Sequence, residues 1–276
     1  MKSFSLLMKK AARLGDTSLL SQLSRPGTHE LHIKETFQGR CRFEGDSPVF
    51  PERLVILAFT NRSGSNLMAE YMRQANHVGG LGEVLNHDVV ATRAAERGIQ
   101  SMPDYFEDLH SQFAPGPKAL GIKASWDQLA MLLRWNILDM FPKVIVVHML
   151  RHDIVAQAVS YGIALQTKAW TSKQKPLDIE PDLDPQEVMH SVAQFHRANL
   201  NIRLLTKAYG MERFDIGYET IMNAPEINVT RVLHAARLAG PNWTPRTPGL
   251  AKQANDRNDA FTEALYARLR TAVEGS

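Results

Sequence analysis

Residues 54–72 read LVILAFTNRSGSNLMAEYM, and they constrain the fold more than any other stretch. Leu54 to Phe59 is an unbroken apolar run, as in a buried strand. Thr60 to Asn66 is a polar turn, after which Leu67, Met68, Tyr71 and Met72 recur at helical spacing. A strand, a loop of small residues and a helix N-terminus aim backbone N–H groups and the positive end of the helix dipole at one point. Gly64 permits close backbone approach there, Ser63, Ser65 and Asn66 can add side-chain hydrogen bonds, and Arg62 adds a fixed charge. Such a site expects a phosphate or sulfate group.

A triphosphate-binding P-loop also needs a Gly-Lys-Ser/Thr run, whose Lys reaches the terminal phosphates and whose hydroxyl holds magnesium. Here the loop has no Gly-Lys pair, and Arg62 precedes the glycine. It therefore fits a phosphate ester without an obligatory metal. The plainer reading is an ordinary strand–loop–helix turn capped by Ser or Asn.

With 276 residues, 44% hydrophobic and 22% charged, the chain suits one large globular α/β domain or a domain with appendages. Its net charge of +3 is mixed along the sequence, which mildly favours anionic ligands and gives no basis for nucleic-acid binding. Cys41, the single cysteine, rules out an internal disulfide and fits a reducing compartment, so the expected location is cytoplasmic. No stretch has the length and apolarity of a transmembrane helix.

Met1 to Leu20 is basic and amphipathic but lacks the long apolar core and cleavage site of a secretory signal. It reads as a helical arm that packs on the domain or on a partner subunit, the latter implying a homodimer. Peripheral membrane contact is the sharper alternative. Residues 1–50 thus read as arm plus connecting region, with Ser24 to Pro51 rich in Gly, Pro and polar residues, and 51–276 as the main domain. Strand patterns at 54–59, 119–123, 143–150 and 213–218 alternate with helical patterns at 67–74, 88–96, 127–140, 154–170, 186–209, 225–238 and 260–272. That alternation predicts an α/β fold, a central parallel sheet flanked by helices.

A second segment carries chemistry. Val144 to Leu150 is nearly all apolar and β-branched, as expected for a central parallel strand. Arg151, His152 and Asp153 follow at its carboxyl end, where open α/β sheets bind ligands. Asp153 can cap a helix, and Ser160 then lies about two turns into it. Two anion sites at two strand ends suggest a ligand with two separated phosphate groups. An ion-pair arginine is the alternative reading of Arg151.

Together these segments resemble the Stf0 (trehalose 2-sulfotransferase) family of carbohydrate sulfotransferases, which use 3′-phosphoadenosine 5′-phosphosulfate (PAPS). Residues 61–66, Asn-Arg-Ser-Gly-Ser-Asn, resemble the family's 5′-phosphosulfate loop. Arg151-His152-Asp153 through Ser160, continuing to Gln166-Thr167 and Trp170, resembles its 3′-phosphate segment. Tyr218-Glu219 with Pro225-Glu226 resembles a later strand-then-helix segment, and Leu250-Ala251-Lys252-Gln253 a basic stretch that closes over the nucleotide. The resemblance runs from about Leu54 to Leu269 and implies a P-loop-like sulfotransferase fold. It implies Arg62, Ser63, Gly64, Ser65, Asn66, Arg151, His152, Ser160, Lys252 and Gln253 as cofactor contacts, with no metal required. Two positions depart from the family's pattern. Asn66 stands where Thr is usual, and His152 stands where the 3′-phosphate arginine is usual, a neutral imidazole supplying less charge.

The resemblance further implies sulfuryl transfer to a hydroxyl by in-line displacement, with Arg62 and the loop N–H groups at the departing 5′-phosphate. Glu83, in Gly79-Gly80-Leu81-Gly82-Glu83 just after the first helix, resembles the family's proposed general base. Asn61, Gly82, Asn86 and His87 are the candidate acceptor contacts. A carbohydrate or glycolipid acceptor is implied, its identity left open because acceptor pockets are lined by variable loops such as 171–185. A kinase-like nucleotide enzyme and a catalytically silent nucleotide- or glycan-binding relative are the rival readings. His148 reads as a core histidine, and Trp126 and Trp170 as packing residues. Lys123 reads equally as a cofactor-facing group or as an exposed lysine beside a helix cap.

Overall fold

A computed structural model describes residues 18–115, 118–170, 174–175, 177–238, 243–249 and 256–275. Residues 1–17 of the expected arm, the candidate contacts Lys252 and Gln253, and part of the 171–185 loop lie outside the described residues.

Five parallel strands make one sheet: β1 (Leu54–Ala58), β2 (Val78–Gly82), β3 (Ala119–Ala124), β4 (Val144–Leu150) and β5 (Glu212–Gly217), in the order β2-β3-β1-β4-β5. The described helices are α1 (Ser18–Ser24), α2 (Thr28–Thr36), α3 (Ser65–Gln74), α4 (His87–Arg97), α5 (Met102–Phe113) and α6 (Trp126–Arg134). They continue with α7 (Ile154–Thr167), α8 (Pro185–Ala208), α9 (Tyr218–Asn223), α10 (Pro225–Ala235) and α11 (Asp256–Glu274). This is the α/β fold, a central parallel sheet flanked by helices, that the sequence predicts.

The strand period of two explains both layers. Leu54, Ile56 and Ala58 of β1 face a core with Ile33 of α2, Val90 of α4, Phe106 of α5 and Leu129 of α6. Val55 and Leu57 face the opposite core with Met68 and Met72 of α3 and Val229 and Val232 of α10. A strand buried on both faces must be apolar throughout, as β1 is. The chain builds β2 and β3 on one side of β1 and then β4 and β5 on the other. Its direction reverses between β1 and β4, and ligands bind at such a switch point, beyond the strands' carboxyl ends.

Several elements differ from the sequence reading. Residues 78–82, absent from the strand patterns of the sequence, form the edge strand β2. A Cβ on Gly79 would coincide with the Phe113 carbonyl, and one on Gly80 would stand 2.6 Å from the Gly121 carbonyl. Close backbone passage requires both glycines, and Gly80, at φ 81°, also turns the strand where its register with β3 shifts between Gly80 and Gly82. Where the sequence reads as a connection, α2 packs into the main core through Ile33, with Phe37 and Cys41 following it. Buried Glu30 accepts from Arg134 Nε at 2.9 and 3.1 Å, pinning α2 to α6. Helices α5 and α9 are additions. The helical pattern at 127–140 breaks after Arg134 into a short 3₁₀ turn at Ile137–Met140, and the pattern at 154–170 stops at Thr167 before Lys168 in the left-handed region.

Candidate active site

The carboxyl edge of the sheet gathers nearly all the candidate residues. After β1, the loop turns through two left-handed residues, Arg62 (φ 65°) and Gly64 (φ 88°). Arg62 in that region costs about 1 kcal/mol, and such conformations cluster at ligand sites. Gly64 directly precedes α3, and a Cβ there would lie 2.5 Å from Tyr218 Cδ2, so only glycine passes the ring. Ser63 is fully buried and its hydroxyl has no partner. Buried hydroxyls are normally paired, and an anion seated in the loop would pair this one. Ser65 is buried at the start of α3, and Asn66 is exposed beside it.

Helix α7 holds this loop from behind. Buried Gln157 donates to Thr60 Oγ1 at 2.8 Å and to the Asn61 carbonyl at 2.6 Å. Arg62 reaches back to α7, its Nε donating to Ser160 Oγ at 2.9 Å and its Nη1 to the Trp170 carbonyl at 2.8 Å. Burial, and then the neighbouring Arg151 guanidinium, pull its pKa below the ordinary arginine value. Both of those Arg62 partners are uncharged, so the site has positive charge to spare. Arg151 lies over the Tyr218 ring at 5.3 Å. The turn after β4 is fixed by Glu219, whose two oxygens accept from the His152 backbone N–H at 3.2 and 3.3 Å. The His152 ring is 70% exposed and 3.4 Å from the same carboxylate. It sits at the β5–α9 corner.

On the other side of β1, Glu83 follows β2 directly after Gly82. Lys123 Nζ lies 2.6 Å from Glu83 Oε1, 2.7 Å from Asn66 Oδ1 and 4.4 Å from the centre of the Phe59 ring. Only 2% exposed, it is not the surface lysine that was one of its two sequence readings. Burial lowers its pKa and the Glu83 carboxylate opposes that shift. Glu83 opens on a cavity of about 600 Å³, lined also by Asn61, Asn86, Trp126, Asp127, Tyr161, His190 and Arg197. Asn86 caps α4, accepting from the Asp88 backbone N–H at 3.0 Å. His87 turns to α2, its Nδ1 2.8 Å from His29 Nδ1 and its ring stacked on His32. Trp126 lines the cavity and also packs on the core. His148 is fully buried between Asp215 at 3.0 Å and Asn199 at 3.1 Å, a core histidine.

Sequence reasoning did not find the bracing role of Gln157 or the cavity residues of α8. No local pattern marks them, because α8 meets the β1 loop only in the folded chain. Among the described residues, no group of three or more His, Cys, Asp or Glu side chains could hold a metal ion, and no helix is long and apolar enough to cross a membrane.

A parallel sheet with arginine-bearing turns after β1 and β4, at its switch point, has the layout of an α/β enzyme that binds its ligand beyond the strands' carboxyl ends. The chain belongs to the Stf0 sulphotransferase family, whose model matches residues 122–268. It is 30% identical over 169 residues to a trehalose 2-sulfotransferase of Mycobacterium tuberculosis, covering 53% of this chain and 60% of that protein. A trehalose 2-sulfotransferase of Mycolicibacterium smegmatis is 26% identical over 123 residues, covering 43% of this chain and 44% of that protein. The similarity therefore spans only part of either relative. A solved sulfotransferase domain of the Synechococcus PCC 7002 olefin synthase shares the fold, with TM-score 0.50 and 12% identity over 82% of this chain and 98% of that one.

Proposed function

We propose that this chain transfers the sulfuryl group of PAPS to a hydroxyl of a carbohydrate or glycolipid acceptor, in the cytoplasm. One observation carries the reading. Arg62 and Arg151 converge at the switch point without a carboxylate on Arg62's donors, while Glu83 stands across β1 at the mouth of a polar cavity. A donor with 5′ and 3′ phosphates would use both cations. Ser63, Gly64, Ser65 and Asn66 would hold the 5′-phosphosulfate at the α3 N-terminus. Arg151, His152 and Ser160, with Lys252 and Gln253, would hold the 3′-phosphate.

In this mechanism the acceptor oxygen bonds to sulfur as the bond from sulfur to the 5′-phosphate oxygen breaks. The acceptor's proton passes to Glu83, and the electron pair stays on the departing adenosine 3′,5′-bisphosphate. Arg62 and the loop N–H groups meet that growing charge. Asn61, Gly82, Asn86 and His87 remain the proposed acceptor contacts, with Asn61 and Asn86 on the cavity wall. Its carboxylates, amides and aromatic rings suit a neutral polyol. Trehalose, the acceptor in the two relatives' names, is the first to try.

The test is transfer of radiolabelled sulfate from PAPS to a glycan panel that begins with trehalose. Labelled sugar with stoichiometric bisphosphate release is expected. Binding of the bisphosphate without transfer to any sugar would leave a silent binding protein, and preference for ATP with Mg²⁺ would leave a kinase-like enzyme.

A further inference from the structure

Lys123 has no part in the mechanism above, yet its ammonium is buried and held by two side chains from different segments. Strand β3 is otherwise Ala119, Leu120, Gly121, Ile122 and Ala124, all buried. Burying an ammonium costs several kcal/mol, whereas a methionine would fill similar space against Phe59. Packing alone therefore does not account for a lysine here. Its partners do. One is the carboxylate proposed as base, just after the strand to one side; the other, Asn66, is at the start of the helix that follows the strand to the other side.

We infer that Lys123 is a positioning residue that ties the base to the donor site, holding the Glu83 carboxylate at the cavity mouth and setting the orientation of the Asn66 amide. Lysine only donates, so the Asn66 atom that meets it must be Oδ1. The amide's donor nitrogen is thereby turned away from Lys123, at the second residue of α3, where an anion would sit. Without the ammonium, the Glu83 side chain, already 57% exposed, gains freedom to swing into water. Asn66 in turn loses the contact that distinguishes its oxygen from its nitrogen. Arg73 also faces this group, donating to the carbonyls of Gly80 and Leu81 at 3.4 Å and bracing the strand that delivers Glu83. Acceptor and donor sides thus share one buried cation.

The inference rests on the sulfuryl-transfer reading, and the experiment separates the two. The kcat for transfer and the Kd for adenosine 3′,5′-bisphosphate are measured for the full chain, Lys123→Met, Glu83→Gln and the double variant. Lys123→Met is expected to lower kcat by about 10²-fold and to weaken the bisphosphate by about threefold to tenfold. Because Lys123 acts on the chemistry through Glu83, the double variant is expected to be no more than about threefold slower than Glu83→Gln alone. Lys123→Arg, which keeps charge and donors, is expected to regain at least about tenfold of the lost kcat. Should Lys123→Met not fold, Lys123→Gln carries the same comparison. Wild-type kcat in the lysine variant, or fully multiplicative losses in the double variant, would overturn the role of Lys123 alone. A wild-type chain that transfers sulfuryl to no acceptor would overturn the functional reading, and this inference with it.

Discussion

Arg62 Nε donates to Ser160 Oγ at 2.9 Å, so one guanidinium joins the loop after β1 to helix α7. The contact bridges the two segments proposed to hold the two phosphates of one donor. Arg62→Ala removes a charge at the departing group and unpins α7. Its kcat is expected to fall by about 10²-fold or more, with the bisphosphate Kd rising as well. Near-normal turnover in a folded Arg62→Ala protein would remove Arg62 from the mechanism.

Gly64→Ala tests the loop through sterics rather than charge. Alanine must hold φ near 88° and push the Tyr218 ring, which in turn carries Arg151. A loss of about 1–2 kcal/mol in stability and at least about tenfold in bisphosphate affinity is expected. Gly98→Ala is the control, since Gly98 has φ 67° but open space around it. It is expected to lose stability alone, by thermal melts and calorimetry. Equal binding losses in both variants would mean that the loop is not special.

The second anion segment should read the 3′-phosphate. Adenosine 3′,5′-bisphosphate is expected to bind at least about tenfold more tightly than adenosine 5′-monophosphate, or about 1.4 kcal/mol. Arg151→Ala should erase most of that ratio while leaving monophosphate affinity nearly intact. Equal affinities for the two nucleotides in the wild type would assign the Arg151 turn to another purpose.

Asp215 ties β5 to β4 and sets an acid limit. The His148 hydrogen bond, with help from Arg213, holds its carboxyl down to about 2, from an ordinary 3.8. A depressed carboxyl gives stability that is complete above about 3.8 and is lost as pH falls toward 2. Thermal melts between pH 5 and pH 2 are therefore expected to be steeper in pH for the wild type than for Asp215→Asn, at the ionic strengths where both stay soluble. Parallel pH dependence would remove Asp215 from the acid transition.

Most of the sheet and the turn from β1 into α3 were legible because strand burial and helix spacing are local patterns. β1 is apolar on both faces, as is β4 apart from His148, and the Asn61–Asn66 loop is contiguous in sequence. What escaped was set by distant contacts. β2 carries no strand pattern because its glycines answer to Phe113 and Gly121, residues distant in the chain. The partners of Lys123 come from two other segments, so its burial could not be read from its neighbours in the chain. The helix α2 reads as a connection because its apolar face is short, and its place is fixed by Ile33 in the core together with the Glu30–Arg134 pair.

Glu83 is where catalysis and stability can be pulled apart. As general base it must be ionised to take the acceptor's proton, and Glu83→Gln keeps its shape while removing that capacity. A fall in kcat of about 10²-fold or more is expected, with bisphosphate affinity almost unchanged because Lys123 still holds Asn66. The same change leaves the Lys123 ammonium buried without its counter-charge. Breaking a fully buried pair costs about 3–5 kcal/mol, but Glu83 is 57% exposed, so about 1 kcal/mol is expected, a melting shift of about 2–4 °C. Adding Lys123→Met should return the melting temperature and leave kcat low. If Glu83→Gln instead spares kcat and lowers only the melting temperature, Glu83 is merely the partner of Lys123. The base would then be sought elsewhere on the cavity wall.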